Sequence, residues 1–231
     1  MVRLVGKVEL RPGTKAGDHF ASVMYRTTVR YSTRSVEKSI NLIMKIKPSS
    51  EGLKKDLLEG DDFFAKEIRM YTEVLPEIAK LLGRIGEEYK YPRLVHAAHE
   101  PHTIIILEDI CPKGWKMGGL ISSFEELGPT IDAIAKFHAA SAVLQEKPGG
   151  QIVDTMFVDY QMCSWSSQVV DLYYLTYMIP EQAVKNSHRD AIIHRYYKKF
   201  TDVLRQLHFR GRAPSLTELQ MELLRKAELG K

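Results

Sequence analysis

The fold is decided by the stretch INLIMKI at residues 40–46, in which Lys45 is the only charged residue. A short apolar run that ends in turn residues, here Pro48-Ser49-Ser50, predicts a buried β-strand that we place over 39–46. Since apolar residues flank Lys45 on both sides, we expect this strand to lie in the middle of a sheet and not at its edge.

Further strands are predicted on both sides of this stretch in the chain. Alternating residues indicate strands over 2–10 and 20–31, and two more over 93–98 and 103–109. Between the two groups, apolar residues recur at spacings of three and four over 53–82, which predicts helix.

Beyond the last predicted strand the pattern becomes helical. The expected helices lie up to residue 144 and over 166–178, 185–208 and 215–228. The patterns Ser122–Glu125 and Ser215–Glu218 are typical of capping boxes, while Gly128-Pro129 is an alternative start for the first helix.

Strands first and helices later predict an α+β protein in two segregated parts. We place one part over residues 1–110 and the other over 111–231.

Composition and charge exclude several classes of protein. The net charge is +4, from 33 basic and 29 acidic residues spread along the chain, whereas nucleic-acid binders usually carry a denser basic patch. The two cysteines form no disulfide framework, which favours a reducing compartment. No run approaches the ~18 apolar residues of a membrane span, and the N-terminal segment is too polar for a signal peptide. We therefore expect a cytoplasmic protein without nucleic-acid or membrane partners, of undefined oligomeric state.

Lys45 and Glu67 are the first candidates for a functional site. A lone lysine in a strand usually faces solvent, and Glu67, next to Lys66, could lie on a solvated helix face. However, a lysine on the third strand that pairs with a glutamate on the following helix is the arrangement by which protein kinases hold nucleotide phosphates.

Three weaker signals fit the same chemistry. Gly13 and Gly17 lie between the first two strands, where a kinase covers the phosphates, although hairpins also use glycine for geometry alone. Glu108-Asp109 ends the strongest apolar run, at the position of a kinase hinge, but acids end many strands. Asp159 follows a short β-run and could bind Mg²⁺ or belong to a simple turn.

Other catalytic classes lack support in this sequence. It contains no HExxH, GxSxG or Walker pattern. His138 lies among alanines on one helix face, so we interpret it as a packed core histidine with satisfied hydrogen bonds and not as a metal ligand or general base.

Taken together, six segments resemble the ecdysteroid kinase-like family. That family belongs with the choline kinases and aminoglycoside phosphotransferases and has a two-lobed, protein-kinase-like fold. The segments run in family order: GDHFASVMYR (17–26), LIMK (42–45), FAKEIRMY (64–71), ILEDI (106–110), AKFHAAS (135–141) and VDYQ (158–161).

The resemblance implies roles for particular residues in a β-rich, nucleotide-binding N-lobe. Lys45 would hold the phosphates of ATP, braced by Glu67. Gly17 and Ser22 would line the phosphate loop. The segment Glu108–Ile110 would form the hinge against adenine.

It also implies a metal and an activity. Asp159 would bind Mg²⁺, and the chain would be similar to ATP-dependent kinases of hydroxylated small molecules such as ecdysteroids. The second lobe would be helical and truncated.

The chain departs from the family at its catalytic loop. The family has a His-Gly-Asp-x-Trp-x-x-Asn segment before the metal-binding aspartate, and its Asp accepts the proton of the acceptor hydroxyl. This chain has no such string, which indicates an internal deletion near 147–152 and leaves the catalytic base unknown. Asp171, which would brace that loop, is expected to have nothing to brace. The alternatives are an impaired kinase, a non-catalytic nucleotide-binding or regulatory protein, and a truncated gene product.

Overall fold

The computed structural model describes residues 2–13, 22–33, 36–48, 63–116, 118–145 and 167–226. The chain divides into two compact units. Unit 1 comprises residues 1–72 and 91–116, and unit 2 comprises residues 73–90 and 117–231.

Unit 1 is built on an antiparallel sheet, in which the described residues form six strands. They are β1 (Val2–Leu4), β2 (Arg11–Pro12), β3 (Val23–Thr33), β4 (Val36–Ile46), β5 (Leu94–Ala98) and β6 (Ile104–Glu108). Their order is β1-β3-β4-β6-β5, and β2 also pairs with β3. Strand β4 therefore has a partner on each side, which confirms that the strand of Lys45 is central.

The N-terminal strand prediction is wrong in its extent. The expected strand over 2–10 is replaced by β1 and, after an interval, by β2, which lies beyond the predicted end of that strand. Gly6 has a φ of 84°, outside the β region, so the chain leaves the strand conformation there.

The helix that follows β4 changes its winding midway. It comprises α1 (Phe63–Arg69), a π-helical segment (Met70–Val74) and α2 (Leu75–Gly83). Thr72 Oγ1 donates a hydrogen bond of 2.8 Å to the carbonyl of Ile68, which satisfies an acceptor in the stretch where the helical pattern shifts. The first part of the predicted helical region, over 53–62, lies outside the described residues.

Unit 2 is helical in the described part of the chain. It contains α2, followed by α3 (Phe124–Gln145), α4 (Val169–Met178), α5 (Gln182–Gln206) and α6 (Leu216–Arg225). The second capping box is confirmed, since Ser215 Oγ accepts from Glu218 N and the Glu218 carboxylate accepts from Ser215 N.

The first capping box, predicted at Ser122–Glu125, is not formed, and a serine cap one residue later replaces it. Helix α3 begins at Phe124, so Ser123 and not Ser122 accepts the hydrogen bond from Glu126 N, at 3.1 Å. Pro129 lies inside this helix and does not begin it.

An arginine fixes α3 against α5. Arg195 donates from Nε and Nη2 to both carboxylate oxygens of Asp132, at 2.9 and 2.8 Å. A Cβ on Gly128 would lie 2.5 Å from Arg195 Nη1, so with any larger residue the guanidinium would have to shift from this position. No helix of the described chain is both long enough and apolar enough to cross a bilayer.

Candidate functional site

A buried ion pair in unit 1 brings together the first two residues that the sequence singled out. Lys45 Nζ on β4 donates to Glu67 Oε2 on α1 at 2.8 Å. Lys45 is 7% exposed and Glu67 is 3% exposed, so the solvent-facing alternatives for both residues are wrong. Burying either charge alone would be costly, and the pairing offsets much of that cost.

The register of the sheet places an apolar floor beside this pair. Lys45 is directly opposite Met24 of β3 and Ile105 of β6, and the next residues on the same face are Ile43 and Leu107. From the cation, this face leads over aliphatic side chains toward the end of β6. A planar apolar group joined to an anion is the kind of ligand that fits such a face.

The segment Glu108–Ile110 follows β6 at that end. Glu108 N donates to Arg93 O at 2.9 Å, and Asp109 N donates to Asn41 O at 2.8 Å. Among the described residues, none accepts a hydrogen bond from Ile110 N. Of the three amides predicted to form a hinge, this is therefore the one left to donate to a ligand.

The side chain of Glu108 is engaged on the surface. Its carboxylate lies 2.8 Å from Lys113 Nζ and 3.5 Å from Arg93 Nε. The hydrogen bond from Lys113 is the main cause that lowers the pKa of Glu108. The side chain therefore stays ionised at neutral pH and faces those two cations.

An arginine that the sequence reasoning gave no role holds the same segment. Arg26 Nη1 lies 3.4 Å from Asp109 Oδ2, and Arg26 Nη2 lies 3.4 Å from Cys111 Sγ. The other oxygen of Asp109 accepts from Cys111 N at 3.0 Å. Once β3 and β4 are paired with Met24 opposite Lys45, the alternation of side chains along β3 places Arg26 on the same face as Lys45, because Arg26 is two residues from Met24.

The remaining predicted site residues are only partly described. Ser22 is buried, at 7% exposure, immediately before β3. Gly17 and Asp159 lie outside the described residues. In the described part of the chain, no three His, Cys, Asp or Glu side chains come close enough together to hold a metal ion.

His138 in unit 2 is a satisfied core residue, as the sequence predicted. Its Nε2 lies 2.8 Å from Asp171 Oδ2, and its Nδ1 lies 2.8 Å from Tyr196 Oη. Asp171, which was expected to have no catalytic loop to brace, is hydrogen-bonded to this imidazole. Tyr196 also donates to Gln168 Oε1 at 3.1 Å, so the network joins α3, α5 and the start of α4.

The model of the ecdysteroid kinase-like family matches two segments of the chain, residues 16–151 and 147–209, which together span more than half of it. No curated protein matches the chain. The chain, with its buried Lys45–Glu67 pair on a sheet and the following helix, belongs to the ecdysteroid kinase-like family.

Proposed function

We propose that this chain binds Mg-ATP and descends from kinases that phosphorylate a hydroxyl group of a small molecule. The observation that carries the proposal is the Lys45–Glu67 ion pair at 2.8 Å, buried in a chain of a kinase-like family. A buried ammonium held in place by a carboxylate is the group that phosphoryl transfer uses to hold nucleotide phosphates.

The described residues fit a nucleotide in three respects. Lys45 offers positive charge to phosphates, and Glu67 fixes the position of its ammonium. Ile43 and Leu107 offer an apolar surface on the same face. Ile110 N offers a hydrogen-bond donor at the end of that surface.

The metal and the phosphate loop are assigned from the family pattern. Asp159 would hold Mg²⁺, which neutralises charge on the phosphates when bound. Gly17 and Ser22 would line the phosphates. In this proposal residues 1–110 bind the nucleotide, residues 111–231 form a truncated helical lobe, and the protein is cytoplasmic.

Reduced catalytic competence is part of the proposal. No His-Gly-Asp string occurs in the sequence, and proton transfer to a positioned general base normally contributes about 10²–10⁴ in rate. The two family-matched segments meet at residues 147–151, the region of the proposed internal deletion near 147–152. The acceptor class, an ecdysteroid-like or related alcohol, comes from the family alone.

A second candidate is a non-catalytic nucleotide-binding or regulatory protein, a pseudoenzyme on the same fold. The missing His-Gly-Asp string favours it, since nucleotide binding through Lys45 does not need that string. A truncated gene product is the third candidate, and it predicts a non-cooperative melt.

One experiment separates these candidates. Thermal melts with and without Mg-ATP are recorded for the wild type, Lys45→Met and Lys38→Met, the last an exposed lysine on the same strand. We expect Mg-ATP to raise the melting temperature of the wild type and of Lys38→Met, but not of Lys45→Met. An unchanged melting temperature in the wild type would contradict nucleotide binding.

Release of ADP in the presence of candidate alcohols then distinguishes an active kinase from a pseudoenzyme. Transcript sequencing across Gly150-Gln151 tests the deletion. Extra coding sequence with a His-Gly-Asp segment in most transcripts would restore the ordinary kinase interpretation.

A further inference from the structure

Unit 1 contains a cavity of about 660 Å³ that Lys45 does not line. Its wall is formed by the N-terminal residues 5–12 and by residues of β3, β4 and the segment after β6. Four cationic side chains and two carboxylates line it: Lys7, Arg11, Arg26, Arg30, Glu9 and Asp109.

Two of these cations are placed directly opposite each other. Arg11 of β2 and Arg26 of β3 are register partners in an antiparallel pair, so their side chains lie on one face. Like charges in this position destabilise a sheet. Arg30 lies on the same face of β3, four residues further along the strand, and adds to the positive charge.

The described residues compensate little of this charge. Asp109 pairs with Arg26 Nη1 at 3.4 Å. Arg26 Nε is buried and has no acceptor among the described residues. Within the same part of the chain, Lys7, Arg11 and Arg30 form no ion pair, and neither does Glu9. The cavity thus combines an excess of cations with a buried donor that lacks an acceptor.

We propose that this cavity binds a small soluble oxyanion, the phosphate or carboxylate group of a metabolite, between Arg11 and Arg26. Guanidinium groups bind such anions through paired, charge-assisted hydrogen bonds, and an anion between the two arginines removes their repulsion. Arg26 is two residues along β3 from Met24, the residue opposite Lys45, which corresponds to about 7 Å of strand. This anion site adjoins the surface that we propose for the nucleotide, because Arg26 is the register partner of Ile43 and pairs with Asp109 of the proposed hinge. Lys45, which would hold the nucleotide phosphates, does not line the cavity, so the two anion positions are distinct.

The test uses inorganic phosphate as the probe, with sodium chloride at equal ionic strength as the reference. We expect phosphate at about ten times its dissociation constant to raise the melting temperature of the wild type by about 3 °C or more. The variant Arg11→Gln should lose this rise, while Lys38→Gln, an exposed lysine outside the cavity, should keep it. Without phosphate, Arg11→Gln should melt at the same temperature as the wild type or higher, because the repulsion is gone.

Two results would overturn the proposal. An equal phosphate effect in the wild type, Arg11→Gln and Lys38→Gln would mean a general effect of phosphate on the protein surface and not binding in this cavity. A phosphate effect that survives Arg11→Gln but disappears in Lys45→Met would place the phosphate at the nucleotide site. Failure of the nucleotide proposal is distinguishable from failure of the anion site, because it shows as an unchanged melting temperature of the wild type in Mg-ATP.

Discussion

Removing both members of the Lys45–Glu67 pair should destabilise the protein less than the sum of the two single removals. Lys45→Met leaves the Glu67 carboxylate buried without the Lys45 ammonium. Glu67→Leu leaves the Lys45 ammonium buried without the Glu67 carboxylate. The double variant places two apolar side chains in contact, with no charge in that contact. The three variants form a double-mutant cycle that measures the coupling between the two residues.

The magnitude follows from the separation and burial of the two groups. At 2.8 Å and an effective dielectric constant of about 20, the attraction is about 6 kcal/mol. Breaking a buried pair by removing one partner costs about 3–5 kcal/mol, whereas an apolar replacement of both is often neutral. For a chain of this size we expect each single variant to melt roughly 6–20 °C lower. The double variant should melt higher than the sum of the two single losses predicts, because neither charge is left buried without the other.

Thermal melts followed by circular dichroism measure these differences. Lys80→Met is the matched control, because Lys80 pairs with Glu77 at 3.2 Å but its side chain is 60% exposed. This exposed pair should contribute about 1 kcal/mol or less. Single variants at Lys45 and Glu67 that melt like Lys80→Met would refute the reasoning, and so would a double variant as unstable as the sum of its parts.

Three further predictions concern unit 2. Gly128→Ala places a Cβ 2.5 Å from Arg195 Nη1 and should lower the melting temperature by roughly 2–10 °C, whereas Gly83→Ala, with nothing within 4 Å, should not lower it. Burial is the main cause that raises the pKa of Tyr196 well above its usual 10, and the charge of a nearby aspartate adds to it. The contribution of Tyr196 to stability is therefore complete below pH 10 and declines above it as the tyrosine ionises in the unfolded chain. Tyr196→Phe should therefore flatten the fall in melting temperature between about pH 9 and 11. The hydrogen bond from the backbone amide at the N-cap of α6 is the main cause that lowers the pKa of Glu218 to about 2. The stability that ionised Glu218 contributes is therefore complete above pH 4.5 and is lost as the pH falls through 2. An NMR titration midpoint of Glu218 near 4.5 would contradict this.

Local patterns were enough to predict much of the fold and the Lys45–Glu67 pair. Apolar residues on both sides of Lys45 indicated a central strand, and β4 has a partner on each side. Ser215 and Glu218 lie three residues apart at the start of a helix, so one short motif defined that cap. Where two serines are adjacent, as at 122 and 123, the motif alone does not choose between them, and the first cap was misplaced by one residue.

Contacts between distant parts of the chain were beyond the sequence pattern. The ties from Arg26 to Asp109 and from His138 to Asp171 join residues 83 and 33 positions apart and depend on register and helix packing. The cross-strand arginines depend on the pairing of β2 with β3, and β2 lies outside the strands predicted from the sequence. The π-helical segment leaves only a small shift in apolar spacing.

Titration calorimetry of Mg-ATP with the Lys45→Met, Glu67→Leu double variant tests the central claim most directly. When the titration is carried out below the melting temperature of this variant, lost binding reports on the site and not on unfolding. We predict that the wild type binds Mg-ATP and that the double variant binds it at least about tenfold more weakly. Equal affinity in the two proteins, or no binding to the wild type, would contradict a nucleotide site at Lys45 and Glu67.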